Sequence, residues 1–87
     1  MKIKDGFLLK EVAGSYVIVP IGDNMVDFSA MITTNETGAF LWEQLKSDVD
    51  TDTLISAVVG EYDIDEAAAR ADVEEYINTL KEKNILV

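Results

Sequence analysis

The spacing of apolar residues changes about a third of the way along the chain, and the change separates two kinds of element. Before Thr34 apolar residues run together or alternate; after Asn35 they return every three or four positions. Phe7 to Val12 is a short apolar run interrupted by Lys10 and Glu11. Ser15 to Ile21, read SYVIVPI, is β-branched and aromatic and apolar on both faces. Ala13-Gly14 between them suits a tight turn, so the pair predicts a β-hairpin. Pro20 lacks an N–H and belongs near the strand end or where that position faces outward. Gly22-Asp23-Asn24 is the next turn signal. From Met25 to Thr33 the period is two. Val26, Phe28, Ala30 and Ile32 fall on one face, and Asp27, Ser29, Met31 and Thr33 on the other. That pattern is a strand with one buried face. As the last strand of a meander it is expected at the sheet edge, with unpaired backbone groups.

The second part reads as three helices over about residues 35–46, 51–62 and 65–83. Thr34 or Asn35 caps the first, with Glu36 in the first turn where the helix dipole favours an acid. Leu41 and Leu45 form its apolar face with Ala39 and Trp42. Asp50 or Thr51 caps the second, and Leu54, Ile55, Val58, Val59 and Tyr62 make a core-facing stripe. Asp65 caps the third, whose stripe is Ala69, Val73, Tyr76, Ile77 and Leu80. Glu66, Arg70 and Glu74 stand at i,i+4 spacing for ion pairs. Ile85 to Val87 is a short strand or a packed tail. The fold class is therefore α+β, with a small three-stranded antiparallel sheet followed by three helices, as one domain over residues 1–87. The expected core is Val26, Phe28, Ile32, Leu41, Leu45, Leu54, Val58, Val73, Ile77 and Leu80, with Trp42 more simply core than a recognition aromatic.

Composition narrows the chemistry. The chain has 87 residues, 48% of them hydrophobic, enough for one core in a domain so small that nearly every aliphatic face must join it. There is no cysteine and no histidine, so disulfides, thiol nucleophiles, thiolate metal sites and the usual general base are all missing. The serines at 15, 29, 47 and 56 have no histidine to activate them and no glycine elbow. Catalysis and cofactors are not expected. Asp48, Asp50 and Asp52 alternate like calcium ligands but lack the turn glycine and the closing Glu, and read more simply as a helix start. Asp52-Thr53-Leu54 has threonine where an acyl carrier protein would present serine.

Net charge is −10 and uneven. Residues 1–42 hold three Lys and five acids, and residues 43–87 hold four basic groups and twelve acids. Such a surface repels nucleic-acid phosphates and anionic membranes and favours cationic partners. No stretch approaches the ~20 apolar residues of a membrane span. MKIKDGFLL lacks the apolar core and cleavage site of a signal peptide, so a cytoplasmic location is expected.

Asn35-Glu36-Thr37 followed by Phe40-Leu41-Trp42, reached after an alternating strand, resembles the helix start of the PqqD-like family, named for coenzyme PQQ synthesis protein D. Thr51 to Tyr62 resembles that family's second helix. Asp72-Val73 with Tyr76-Ile77 and Leu80 is similar to its third, and Ile85-Leu86 to its apolar ending. The resemblance covers about residues 5 to 87. It implies a winged-helix-like domain that acts as a peptide chaperone and recognition element in cofactor or peptide natural product biosynthesis. Such a domain binds the leader of a ribosomally made precursor and presents it to a modifying enzyme, such as a radical SAM protein. The leader is expected as an added strand on the third strand, in the cleft against the third helix. The residues agree on physical grounds, since a free strand edge gives sequence-tolerant affinity and an adjacent apolar helix face gives selectivity. The expected peptide contacts are Asp27, Phe28, Ser29, Ala30, Met31 and Ile32 on the strand, and Ala69, Asp72, Val73 and Tyr76 on the helix, with Ala69 small enough to leave room. A homodimer is a further candidate assembly. The competing readings are a winged-helix regulator, which the acidic third helix opposes, and a docking or oligomerisation module without a peptide ligand.

Overall fold

The structure, a computed structural model, describes residues 1–21 and 32–87. Strands β1 (Phe7–Val12), β2 (Ser15–Pro20) and β3 (Ile32–Thr34) form an antiparallel sheet in the order β1-β2-β3. Helices α1 (Glu36–Gln44), α2 (Thr51–Tyr62) and α3 (Glu66–Glu82) follow. This is the α+β arrangement, a three-stranded antiparallel sheet followed by three helices, expected from the pattern of the chain. Val26, Asp27, Phe28, Ser29, Ala30 and Met31, assigned above to the third strand, lie outside the described residues.

The β1–β2 hairpin closes through Val12 opposite Ser15, with Ala13 and Gly14 both at positive φ (51° and 83°). That left-handed pair is the two-residue turn whose twist matches the strands. Pro20 ends β2, and the next N–H, of Ile21, donates to Gly6 O at 2.8 Å. Across the sheet Leu9, Ile18 and Ile32 stand in one row. Ile18 on the central strand is fully buried, while its neighbours on the outer strands are half-buried.

Each helix begins on a side-chain cap. Asn35, Asp50 and Asp65 accept from the N–H of Gly38, Thr53 and Ala68 at 2.9, 2.7 and 2.8 Å. The first helix is shorter than expected at its end. Leu45 N still donates to Leu41 O, four residues back, but Lys46 N and Ser47 N donate to Glu43 O and Gln44 O, three back, tightening the last turn out of α geometry. The third ends with Asn84 at φ 59°, where Ile85 N donates to Leu80 O and Asn84 N to Lys81 O. This pair of bonds satisfies two terminal carbonyls and turns Ile85 into the core beside Leu80.

The chain ends resolve the alternatives for Ile85 to Val87. Ile3 forms a single β-bridge with Leu86, Lys4 N donates to Ile85 O, and Val87 N donates to Lys2 O. Ile3, Ile85 and Leu86 are buried. The core also holds Leu41, Trp42, Leu45, Leu54, Val58, Val73, Ile77 and Leu80, as the apolar stripes require. Tyr62 joins α2 to α1 through an edge-to-face contact with Phe40.

Candidate functional site

Among the described residues β3 is the last strand of the sheet, so its outer edge is open on the side away from β2. Beside it lies a groove of about 280 Å³. One wall is β3 itself, Ile32, Thr33 and Thr34. The floor and near end come from the first turns of α1, namely Asn35, Thr37, Gly38 and Leu41. The far wall is α3, through Asp72, Glu75, Tyr76, Thr79 and Leu80.

Local chemistry explains this shape. Asn35 must sit at the strand–helix junction to cap α1, which turns the chain sharply after Thr34. Gly38, bonded to that cap, leaves no side chain under Thr34. A Cβ at Gly38 would lie 2.9 Å from Thr34 Cβ and collide with Thr34 Oγ1. The glycine thus lets the strand wall close down on the helix.

The α3 wall is set by helical phase. Ala69, Val73, Ile77 and Leu80 are buried in the core. Asp72, Glu75 and Thr79 lie about a third of a turn round the helix from that stripe, and Tyr76 lies at the seam between the two. Tyr76 is half-buried, and its hydroxyl oxygen is sealed from solvent with no hydrogen-bond partner among the described residues. Burial pushes its phenol well above the usual tyrosine range, so it stays a neutral donor. Thr79 Oγ1 donates to Glu75 O at 3.1 Å.

Of the residues expected to meet a peptide, Ile32, Asp72 and Tyr76 are brought together on this groove. Asp27, Phe28, Ser29, Ala30 and Met31 lie outside the described residues. Ala69 and Val73 are fully buried and do not line it, because the side chains that look into the groove follow the phase of Asp72 and Thr79. Thr33, Thr34, Asn35, Thr37, Gly38, Glu75 and Thr79 were not anticipated as groove residues. Their signal was present in the glycine three residues after a cap and in the polar stripe Asp72, Glu75, Thr79 beside an apolar one.

Acids elsewhere have structural occupations. Asp48 accepts from the amino group of Met1 at 2.7 Å, and that hydrogen bond holds its carboxyl below the usual range. Asp50 caps α2, and the bond from Thr53 lowers it likewise. Asp52 lies 3.7 Å from Arg70. The three alternating aspartates therefore do not converge. Among the described residues no three His, Cys, Asp or Glu side chains gather to hold a metal, and no helix is long and apolar enough to cross a membrane.

The family model for coenzyme PQQ synthesis protein D (PqqD) matches the chain over residues 15–86. The chain belongs to the PqqD family. That span takes in β2, β3, all three helices and the whole groove of this PqqD-family chain. Among solved structures it is similar to TbiB1 in complex with the TbiA(beta) leader peptide, with 19% identity and a TM-score of 0.75. The likeness covers 99% of this chain and 94% of that one, so the two share a fold. No curated relative matches.

Proposed function

We propose that this PqqD-family chain is a peptide-recognition element that binds the leader of a ribosomally synthesised precursor and presents it to a modifying enzyme such as a radical SAM protein. The observation that carries this reading is the edge of β3, open among the described residues, beside a groove that mixes Ile32 and Tyr76 with polar side chains. A leader strand added to β3 would satisfy its free N–H and C=O groups and lay alternate side chains into the groove. Membership of the PqqD family and the shared fold with TbiB1, which is described with a leader peptide, support it. The whole of residues 1–87 serves as one recognition unit in the cytoplasm. It acts by holding the substrate, not by catalysis. The groove is built within a single copy, so the reading holds for a monomer and a homodimer alike. A nucleic-acid role is disfavoured, because the exposed face of α3 carries Glu66, Asp72, Glu74, Glu75 and Glu82.

The test is a titration of the protein with the leader of a precursor encoded beside it, followed by fluorescence anisotropy of the labelled peptide. Binding near the micromolar range, about −8 kcal/mol, is expected. Failure of every neighbouring leader to bind, with duplex DNA binding at physiological salt instead, would overturn the proposal.

A further inference from the structure

Four of the five acids of α3 fall into two groups, with Glu82 at the end of the helix outside both. Glu66 and Glu74 share Arg70, at 3.3 and 4.0 Å. Asp72 and Glu75 make no ion pair among the described residues, and these are the two that line the groove. They stand three apart, hence on one face and a few ångströms from each other. Asp72 lies one turn before Tyr76 on the helix, and Glu75 is its neighbour in the chain. No lysine or arginine lines the groove. A second hollow, over Ile55, Val59 and Gly60, offers the contrast: its acids, Asp52 and Glu66, are already paired with Arg70 at its rim.

Resting on the leader-binding reading above, we infer that the groove selects an extended peptide carrying a lysine or arginine, seated over Asp72 and Glu75 while the flanking residues rest on the partly exposed Ile32 and Thr79. An unpaired carboxylate pair at the lip of a partly enclosed groove attracts a cation more strongly than the same pair in open water, because fewer waters screen it. A basic side chain also has the apolar stem to lie along Tyr76 while its charged end reaches the rim. An acidic leader segment at the same register would meet two like charges.

The experiment uses the full chain and acetylated, amidated ten-residue peptides. One central position is Lys, Arg, Gln or Glu, and the flanking positions are mixtures of Leu, Val, Ile, Phe, Tyr and Ser. Amide shifts of the labelled protein locate binding and give its affinity. Lys and Arg pools should bind about three- to tenfold tighter than Gln pools at low salt, with Glu pools weakest, and the margin should narrow as salt is added. The double variant Asp72→Asn/Glu75→Gln, near-isosteric at exposed positions, should lose the ranking and keep the fold. Glu74→Gln, outside the groove, should keep the ranking. Groove binding without a charge ranking, or a ranking unchanged in the double variant, overturns this inference and leaves leader binding standing. Absence of groove shifts with every pool overturns both.

Discussion

Helix α3 has two neighbouring stripes, one buried with the core and one facing the groove, and they follow opposite rules. Ala69, Val73, Ile77 and Leu80 are apolar and closed to water. Asp72, Glu75 and Thr79 are polar and line a cleft beside a strand edge. The first stripe secures the fold and the second leaves bonding capacity unused. Tyr76 belongs partly to each, with its ring against the core and its hydroxyl unsatisfied. The difference shows that recognition here is placed where stability does not need the side chains. The groove can then vary while the helix stays packed.

The sharpest way to break this division is to cut into the buried stripe and the core it joins. Ile77→Ala should cost on the order of 2–5 kcal/mol, enough to unfold most of so small a domain, as should Leu41→Ala on the facing helix. Thermal melts followed by circular dichroism would show it. An unshifted melting point in either variant would mean that the stripe does not carry the core.

Gly38→Ala probes the opposite wall. Alanine normally favours a helix over glycine by about 1 kcal/mol. Here its methyl meets Thr34, so the gain should be cancelled or reversed, and leader affinity should fall as the strand wall is pushed off α1. A variant that is both more stable and equally tight would show that the close approach has no consequence.

Tyr76→Phe separates stability from binding at one atom. Removing a buried hydroxyl that lacks a partner should stabilise the free protein by about 1 kcal/mol. The same change should leave leader affinity unaltered, because the sealed hydroxyl offers no surface to the groove. Its pH dependence follows from the sign of the shift. Burial raises the folded phenol above its ordinary value of 10.0, so the neutral form's stability is complete below that pH and is lost as pH climbs above it. Tyr76→Phe should therefore resist alkaline unfolding above about pH 10 better than the parent.

The smallest effect is expected at the groove acids. Asp72→Asn and Glu75→Gln should change unfolding free energy by less than about 0.5 kcal/mol, being exposed and unpaired. A larger loss, read from urea denaturation, would place them in the stabilising framework and erase the contrast.

Much of this was legible in the order of residues. Cap signals at Thr34 or Asn35, at Asp50 or Thr51 and at Asp65, followed by apolar stripes, identified three helices because each signal is local. Ala13-Gly14 marked the hairpin for the same reason. Ile3 was not legible as core, since it stands between Lys2 and Lys4 and joins the core through distant partners, the bridge to Leu86 and a bond to Leu45 O. The groove was half legible. Asp72 and Tyr76 face it, but Ala69 and Val73 do not. A helix stripe is drawn about 100° wide, and the sequence does not say where the core ends and the cleft begins within that width. Gly38 and Thr34 escaped notice because their contact depends on how sharply the chain turns at Asn35.

The central claim is that a leader strand occupies the β3 edge and the groove-facing stripe of α3. Amide shift mapping during a leader titration tests it most directly. Shifts gathered on Ile32, Thr33, Thr34, Gly38, Asp72, Glu75, Tyr76 and Thr79 are predicted, together with slowed amide exchange along Ile32–Thr34 as its open edge becomes paired. Shifts confined to α2, with exchange along β3 unaltered at saturation, would contradict it.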